Sequence, residues 1–418
     1  MREKVTAIGV KKESWLFIAA MLTIHAFLAW YSADYLREGY ADFTIFYTAG
    51  RILHEGPRSS LYDGNLQYRL QKQFAPNVKT RQAALPYNHP PFEALLFVPL
   101  ILLSYVHAYV VWNLFNLAFL CVIPFVLRDH VALLRRHPPW FWVLSILAFF
   151  PIFMTLIQGQ DSVLLLLIFS STFAFLKKNA DFLAGCCLAL GLFRFHMVLP
   201  LALILLLRGK KSAILGFASV AACWLIVSAG LVGWSTVLHY PQYVIHLETA
   251  GAGGAIAPVK MPTIHGLLDP ITAPYLGKIT SATLIAIFSF LFILIGALCW
   301  PNKNVRTNFD LSFSIVVLIT VLVSYHAYAH DLSILFLPLL LVANYVSETS
   351  WPAGQRNLNM LLPMFLLCLS PLYLLLWFHY QHLNLIGLVL VWWLLVLWWE
   401  IRQKSKTISL DYPEHSEK

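Results

Sequence analysis

The chain has 418 residues, 59% of them hydrophobic and only 12% charged. Soluble domains carry about 25% charged residues, so this composition excludes a water-soluble surface. The net charge of +9 sits mostly as short Lys/Arg clusters between apolar runs, which is how topology signals are distributed, and this excludes a nucleic-acid face.

The N-terminal Arg2, Lys4, Lys11 and Lys12 precede an apolar run, 15–33, that is long and lacks a small-residue cleavage site. It is expected to be an uncleaved first helix with a cytoplasmic N-terminus. Further runs lie at 107–127, 140–157, 162–176, 181–193, 197–207, 212–232, 277–300, 311–325, 331–348, 358–378 and 383–401. The expected fold is therefore an all-α polytopic membrane protein of about 12 transmembrane helices, a single domain over 1–402 with a cytoplasmic tail at 403–418. The six cysteines lie in or beside apolar runs without metal-ligand spacing.

Pro91–Ser104 is the ambiguous segment, short of the roughly 20 residues a crossing needs and interrupted by Pro99. If it stays at the outer interface, about 14 basic residues fall in inner connections. These are Arg128, Arg135, Arg136, Lys177, Lys178, Arg208, Lys210, Lys211, Lys303, Arg306, Arg356, Arg402, Lys404 and Lys406. If it crosses, every later loop inverts and the rule fails, so a non-crossing segment is expected. The first outer loop, 34–105, then holds short helices at Asp42–His54 and Leu61–Phe74, ended by Gly56 and Pro76. The second, 233–275, includes a glycine-rich stretch, Ala250–Pro258.

This topology gathers the unusual polar residues on the outer face: Asp42, Tyr87-Asn88-His89, Gln158-Gly159-Gln160-Asp161, Arg194-Phe195-His196, and His326 to His330-Asp331. Polar groups at membrane depth are costly and line a cavity or pair with one another. Asp42 opens a helix, so it fits a cap as well as a catalytic carboxylate. Gln158–Asp161 fits a plain turn as well as a binding element. Arg194 interrupts an apolar stretch and points to anion binding. His326 and His330, four apart, would share a helix face, but a third metal ligand is missing.

With these residues in view, the sequence resembles glycosyltransferase family 87, transferases of the GT-C superfamily that use polyprenyl-phosphate sugars. Asp42-Phe-Thr-Ile-Phe-Tyr-Thr-Ala-Gly50 is followed by Gly56 and Leu61-Tyr62-Asp63. Then come Tyr87-Asn-His-Pro-Pro-Phe-Glu-Ala-Leu-Leu, Gln158-Gly-Gln160, Phe193-Arg-Phe-His196 and Ser324-Tyr-His-Ala-Tyr-Ala-His330-Asp331-Leu, in the family's order. Arg194 stands where Lys is more usual, Tyr325 replaces a proline, and His89 precedes the Pro-Pro pair.

The resemblance implies an inverting hexosyltransferase of GT-C-like architecture in the cell membrane, with its active site outside. The donor is a polyprenyl-phosphate sugar, most often mannose, and the acceptor is a lipid or glycan hydroxyl amid membrane lipids. Asp42 would be the general base, assisted by His330. Arg194, His196 and His326 would hold the donor phosphate. Tyr87, His89, Gln158, Gln160, Asp161 and Asp331 would bind sugar or acceptor. No cofactor is expected, and no divalent metal, because no Asp-x-Asp occurs near Asp42. A transporter for an anionic or lipid-linked substrate is the main alternative, since an intramembrane Arg also suits a substrate pathway.

Overall fold

The computed structural model describes residues 12–249, 257–301, 308–349 and 355–411, and every regular element among them is helical. Arg2, Lys4, Lys11, Lys303, Arg306 and most of the glycine-rich Ala250–Pro258 stretch lie outside the described residues. By length and composition, seven helical stretches among the described residues are able to cross a membrane, or up to nine if each of two bent pairs is one span. The pairs are Pro139–Leu147 with Phe150–Gln158, bent by 73°, and Leu358–Cys368 with Ser370–His379, bent by 61°. In both, a proline (Pro151, Pro371) opens the second member, where the missing N–H costs the helix nothing. Ser162–Lys177 and Phe309–Val323 are apolar but shorter. The chain is therefore a multi-pass membrane protein.

Asp181–Leu207 has a single span's length, 27 residues, yet it is not a straight helix. Lys210 Nζ lies 3.0 Å from Asp181 Oδ2. A straight helix of this length would hold its ends about 39 Å apart at 1.5 Å per residue, so the stretch must turn sharply back. The turn is the 3-10 segment Gly191–Arg194, between Asp181–Leu190 and Phe195–Leu207. The separation expected at Arg194 is a hairpin tip.

The chain divides into two compact units. The first comprises Met1–Ala202, Lys210–Ala257 and Ala329–Ile334. Here Asp181–Leu190 packs against Ser162–Lys177 and against Lys211–Val232. Gly185 and Gly216 let the Asp181–Leu190 and Lys211–Val232 backbones meet, because a Cβ on either would collide with a carbonyl of the facing helix. Lys177 Nζ donates to the His130 carbonyl at 3.0 Å. With the Lys210–Asp181 pair, this brings three basic connections to one end of the unit. Ser162–Lys177, about 24 Å long at 1.5 Å per residue, separates that end from Asp161.

At the Asp161 end, the first loop folds into a core of its own. Phe43–Glu55 is a helix buried throughout from Phe43 to Gly50, enclosed by Phe97, Tyr105, Tyr109 and Trp112. Phe46 stacks on Phe97 at 4.6 Å. The second expected helix begins later, at Gly64, because Asp63 caps it by accepting from Asn65 N–H and Leu66 N–H. Two short helices, Ala33–Arg37 and Val78–Arg81, were not anticipated. Pro91–Leu96 and Val98–Leu102 are 3-10 turns, with Leu95, Leu96, Leu102 and Leu103 facing outward.

The second unit comprises Leu203–Gly209, Pro258–Tyr328 and Leu335–Lys418. Phe309–Val323 is buried from Leu311 to Leu322 and packs against Lys278–Cys299, Phe336–Glu348 and Ile386–Asp411. Much of the expected loop 233–275 is helical in both units, as Trp234–Thr249 in the first and Ile264–Leu276 in the second. The last helix continues to Asp411, into the segment expected as tail.

Candidate functional site

The centre of the first unit is the turn between Phe150–Gln158 and Ser162–Lys177. Gly159 sits there with φ +61°, and a Cβ would come within 2.7 Å of Phe43 Cβ, so both conformation and space call for glycine. The long Tyr105–Leu127 helix grips this turn through its carbonyls. Tyr109 Oη donates to Leu156 O at 2.6 Å, while Trp112 Nε1 and Asn116 Nδ2 donate to Gln160 O at 3.3 Å. Gln158, Gln160 and Asp161 are thereby aimed from a fixed backbone.

Asp42 occupies the N-cap position of Phe43–Glu55 but makes no side-chain cap bond. Its backbone N–H donates instead to Gln158 Oε1 at 3.0 Å. Its carboxylate accepts from Gln160 Nε2 at 2.7 Å. The other end of the Gln160 amide accepts from Arg194 Nη2. One side chain therefore joins Asp42 to the hairpin tip, and its two partners fix the orientation of the amide.

Arg194 is 3% exposed and paired with two carboxylates. Its Nε donates to Asp161 Oδ1 at 2.8 Å, its Nη2 lies 2.7 Å from the same oxygen, and its Nη1 lies 3.3 Å from Asp331 Oδ1. Asp161, like Asp42, occupies an N-cap position without a side-chain cap bond. His330 Nε2 stands 3.4 Å from Asp331 Oδ2, and burial pulls its pKa below the ordinary histidine value, favouring the neutral ring. Thr155 and Ser333 hydroxyls donate to the His330 carbonyl and hold the 329–334 segment in place.

Glu93 completes the cluster and was not singled out from sequence. It is 1% exposed, with Oε2 2.9 Å from His89 Nδ1 and 3.1 Å from Tyr87 Oη. Its other oxygen and Asp161 Oδ2 are buried without a donor, and the two carboxylates are close enough to share a hydrogen bond once one is protonated. Burial pushes both carboxyls up, each to about 7, which favours such a shared proton. His89, Glu93 and Asp161 also form a group with metal-binding spacing, their ligand atoms lying within 4.8 Å of one another. The signal for Glu93 was a lone charge inside the apolar Pro91–Ser104 segment.

The structure thus brings together Asp42, His89, Gln158, Gln160, Asp161, Arg194, His330 and Asp331. Tyr87 reaches the group only from within the core: it is 0% exposed and its hydroxyl bonds to Pro90 O at 3.0 Å. His196 is half-buried at the start of its helix, its ring T-shaped to Phe195 at 5.7 Å. His326 belongs to the second unit and does not share a helix face with His330, because the segment between them is not helical. Ser324 Oγ accepts from His326 N–H and donates to His326 O, a side-chain turn that competes with helix continuation.

The family model for glycosyltransferase family 87 matches residues 87–325, more than half of the chain. That span contains His89, Glu93, Gln158 to Asp161 and Arg194, while Asp42 and His330 lie outside it and are tied to it by the contacts above. No curated protein and no solved structure gives a significant match. On the family match, this multi-pass chain belongs to glycosyltransferase family 87 and is a membrane glycosyltransferase.

Proposed function

We propose that this glycosyltransferase moves a hexose, mannose by family resemblance, from a polyprenyl-phosphate donor to a lipid or glycan hydroxyl on the extracytoplasmic face, with inversion. The observation that carries this reading is the Asp42 carboxylate. It is half-buried, released from capping its own helix, and held toward the Gln158–Asp161 turn by Gln160. In the reaction the acceptor oxygen attacks the anomeric carbon while Asp42 takes its proton. The bond from that carbon to the phosphate oxygen breaks, and its electron pair leaves with the lipid phosphate. One displacement inverts the anomeric centre.

Arg194 acts in this reading as a positioning residue. Its guanidinium is spent on Asp161 and Asp331, and through Gln160 it fixes the base. His330, neutral and beside Asp331, is the candidate partner for the sugar or its phosphate. The outer face is supported by charge: the Lys177 and Lys210 connections lie at the opposite end of the unit from Asp161. The leucines exposed on 91–104 suit a groove wall along which the polyprenyl chain enters. Transfer needs no divalent ion in this reading, because no Asp-x-Asp occurs near Asp42.

The test is sugar transfer by purified, detergent-solubilised protein from radiolabelled polyprenyl phosphomannose to a mixed lipid acceptor pool. Wild type should form a labelled product with inverted configuration, and Asp42→Asn should not while remaining folded. An Asp42→Asn enzyme as active as wild type would return Asp42 to a structural role. Activity abolished by EDTA and restored by Mn²⁺ would overturn the metal-independent mechanism.

A further inference from the structure

A second guanidinium lies near Asp42, and its situation is the reverse of Arg194. Arg81 ends the short helix Val78–Arg81. Its Nε, Nη1 and Nη2 are all buried, and among the described residues none has a hydrogen-bond partner. Around it stand Tyr40, Tyr35, Tyr105 and Tyr68, close enough to act on its charge. Tyr35 and Tyr40 are stacked at 5.1 Å, and Tyr35 Oη lies 3.5 Å from Gln158 Nε2. Gln158 in turn accepts from the Asp42 backbone N–H. Tyr105 Oη is 3.0 Å from Thr44 Oγ1, two residues after Asp42. The tyrosine-lined guanidinium therefore adjoins the candidate base through Tyr35 and Gln158.

A guanidinium stays charged in a protein, and leaving it unpaired out of water is costly. Phenols supply hydroxyls but no counter-charge, so the group is suited to take an anion. Five donors in a planar fork match the oxygens of a phosphate. The surroundings favour a phosphate carried by a lipid. Tyr35 is 39% exposed and lies four residues beyond the end of the Lys12–Tyr31 helix, where Phe27, Trp30 and Tyr31 are exposed, the residue types that favour a membrane interface.

We propose that Arg81, with Tyr35 and Tyr40, binds the phosphate of a lipid substrate next to Asp42. Whether that lipid is the sugar donor or the acceptor rests on the transferase reading above; the anion site itself does not.

The experiment uses the full chain in a phosphate-free maltoside detergent, with farnesyl phosphate as probe, farnesol as its phosphate-free counterpart, and a short-chain phosphatidylglycerol. Wild type should bind farnesyl phosphate or the phosphatidylglycerol at least ten-fold more tightly than farnesol. Arg81→Gln should lose that margin, and Arg81→Lys should keep part of it. The phosphate ligand should raise the melting temperature of wild type but not of Arg81→Gln. In the transfer assay, Arg81→Gln should raise one KM at least ten-fold with kcat reduced far less. A raised donor KM identifies the donor phosphate, and a raised acceptor KM identifies the acceptor.

Equal binding of both probe classes by wild type, or a phosphate preference unchanged in Arg81→Gln, overturns the site even if sugar transfer proceeds. Arg81-dependent binding without transfer from any polyprenyl-phosphate sugar upholds the site and removes the donor assignment instead.

Discussion

Arg194 and Arg81 are buried guanidiniums in the same unit, and each is linked to Asp42 through a glutamine of the 158–161 turn. Arg194 reaches the Asp42 carboxylate through Gln160, and it is saturated by Asp161 and Asp331. Arg81 lies near Tyr35, whose hydroxyl is 3.5 Å from the Gln158 amide that holds the Asp42 N–H, and no hydrogen bond among the described residues satisfies Arg81 itself. A buried charge with its full complement of partners is framework, since removing it strands those partners. A buried charge with none is an unfilled valence, and its removal should cost the empty protein little. Arg81 is the less buried residue as a whole, but its guanidinium nitrogens, like those of Arg194, are out of contact with solvent, so the partners decide the role.

The largest effect expected from this contrast is at the saturated site. Arg194→Met should destabilise the protein by about 3–5 kcal/mol, because Asp161 and Asp331 lose their cation out of water. Thermal unfolding in detergent measures this, and a melting temperature equal to wild type would break the comparison. Arg194→Lys keeps the charge but not the fork, so it should recover part of the stability while Gln160 is no longer held.

Asp42→Asn should leave the melting temperature near that of wild type, since the carboxylate caps nothing, while transfer falls by about 10²- to 10⁴-fold. Gln160→Leu should sharpen this result. Cutting the bridge between Asp42 and Arg194 should lower kcat about ten-fold or more, with a stability loss of about 2–3 kcal/mol for the missing hydrogen bonds to two charged groups. A variant with unchanged kcat would show that the bridge does not position the base.

Glu93 predicts a pH dependence. Burial holds its folded pKa at about 7, against an ordinary value of 4.5. The folded protein therefore binds a proton that the unfolded chain has released, and this contribution is full below pH 4.5 and is lost as pH rises through 7. Melting temperature measured from pH 5 to 8 should decline in wild type and decline less in Glu93→Gln. The smallest effect belongs to ligand-free Arg81→Gln, which should melt within about 0.5 kcal/mol of wild type or above it. A large loss there would mean that Arg81 is framework after all.

Several features were legible from residues alone for physical reasons. Arg194 stood out because an arginine inside an apolar stretch must be answered by something. The Gln158-Gly-Gln160-Asp161 turn announced itself through a glycine between two hairpin-forming runs. The first loop's helix at Asp42 followed from its opening aspartate and closing Gly56, although Asp42 proved not to cap it. Arg81 was hidden among seven basic residues of a long loop, where charge carries little topological meaning. Glu93 was hidden in a segment whose leucines drew attention to the lipid interface. The doubling back of Asp181–Leu207, legible as two runs, became a hairpin only once Lys210 was seen beside Asp181.

By itself the sequence determined that this is a helical membrane protein, which runs of residues are apolar, and which polar residues are out of place. Those are properties of composition and short-range pattern, set by the cost of exposing backbone and charge to lipid. The tertiary structure alone decided which carboxylate answers which cation. Asp161 and Asp331 flank Arg194 from positions far apart in the chain, and Gln160 rather than a direct ion pair joins Arg194 to Asp42. Pairing depends on distances of a few ångströms between segments that no local pattern relates, so only the folded chain could separate the paired arginine from the one left open.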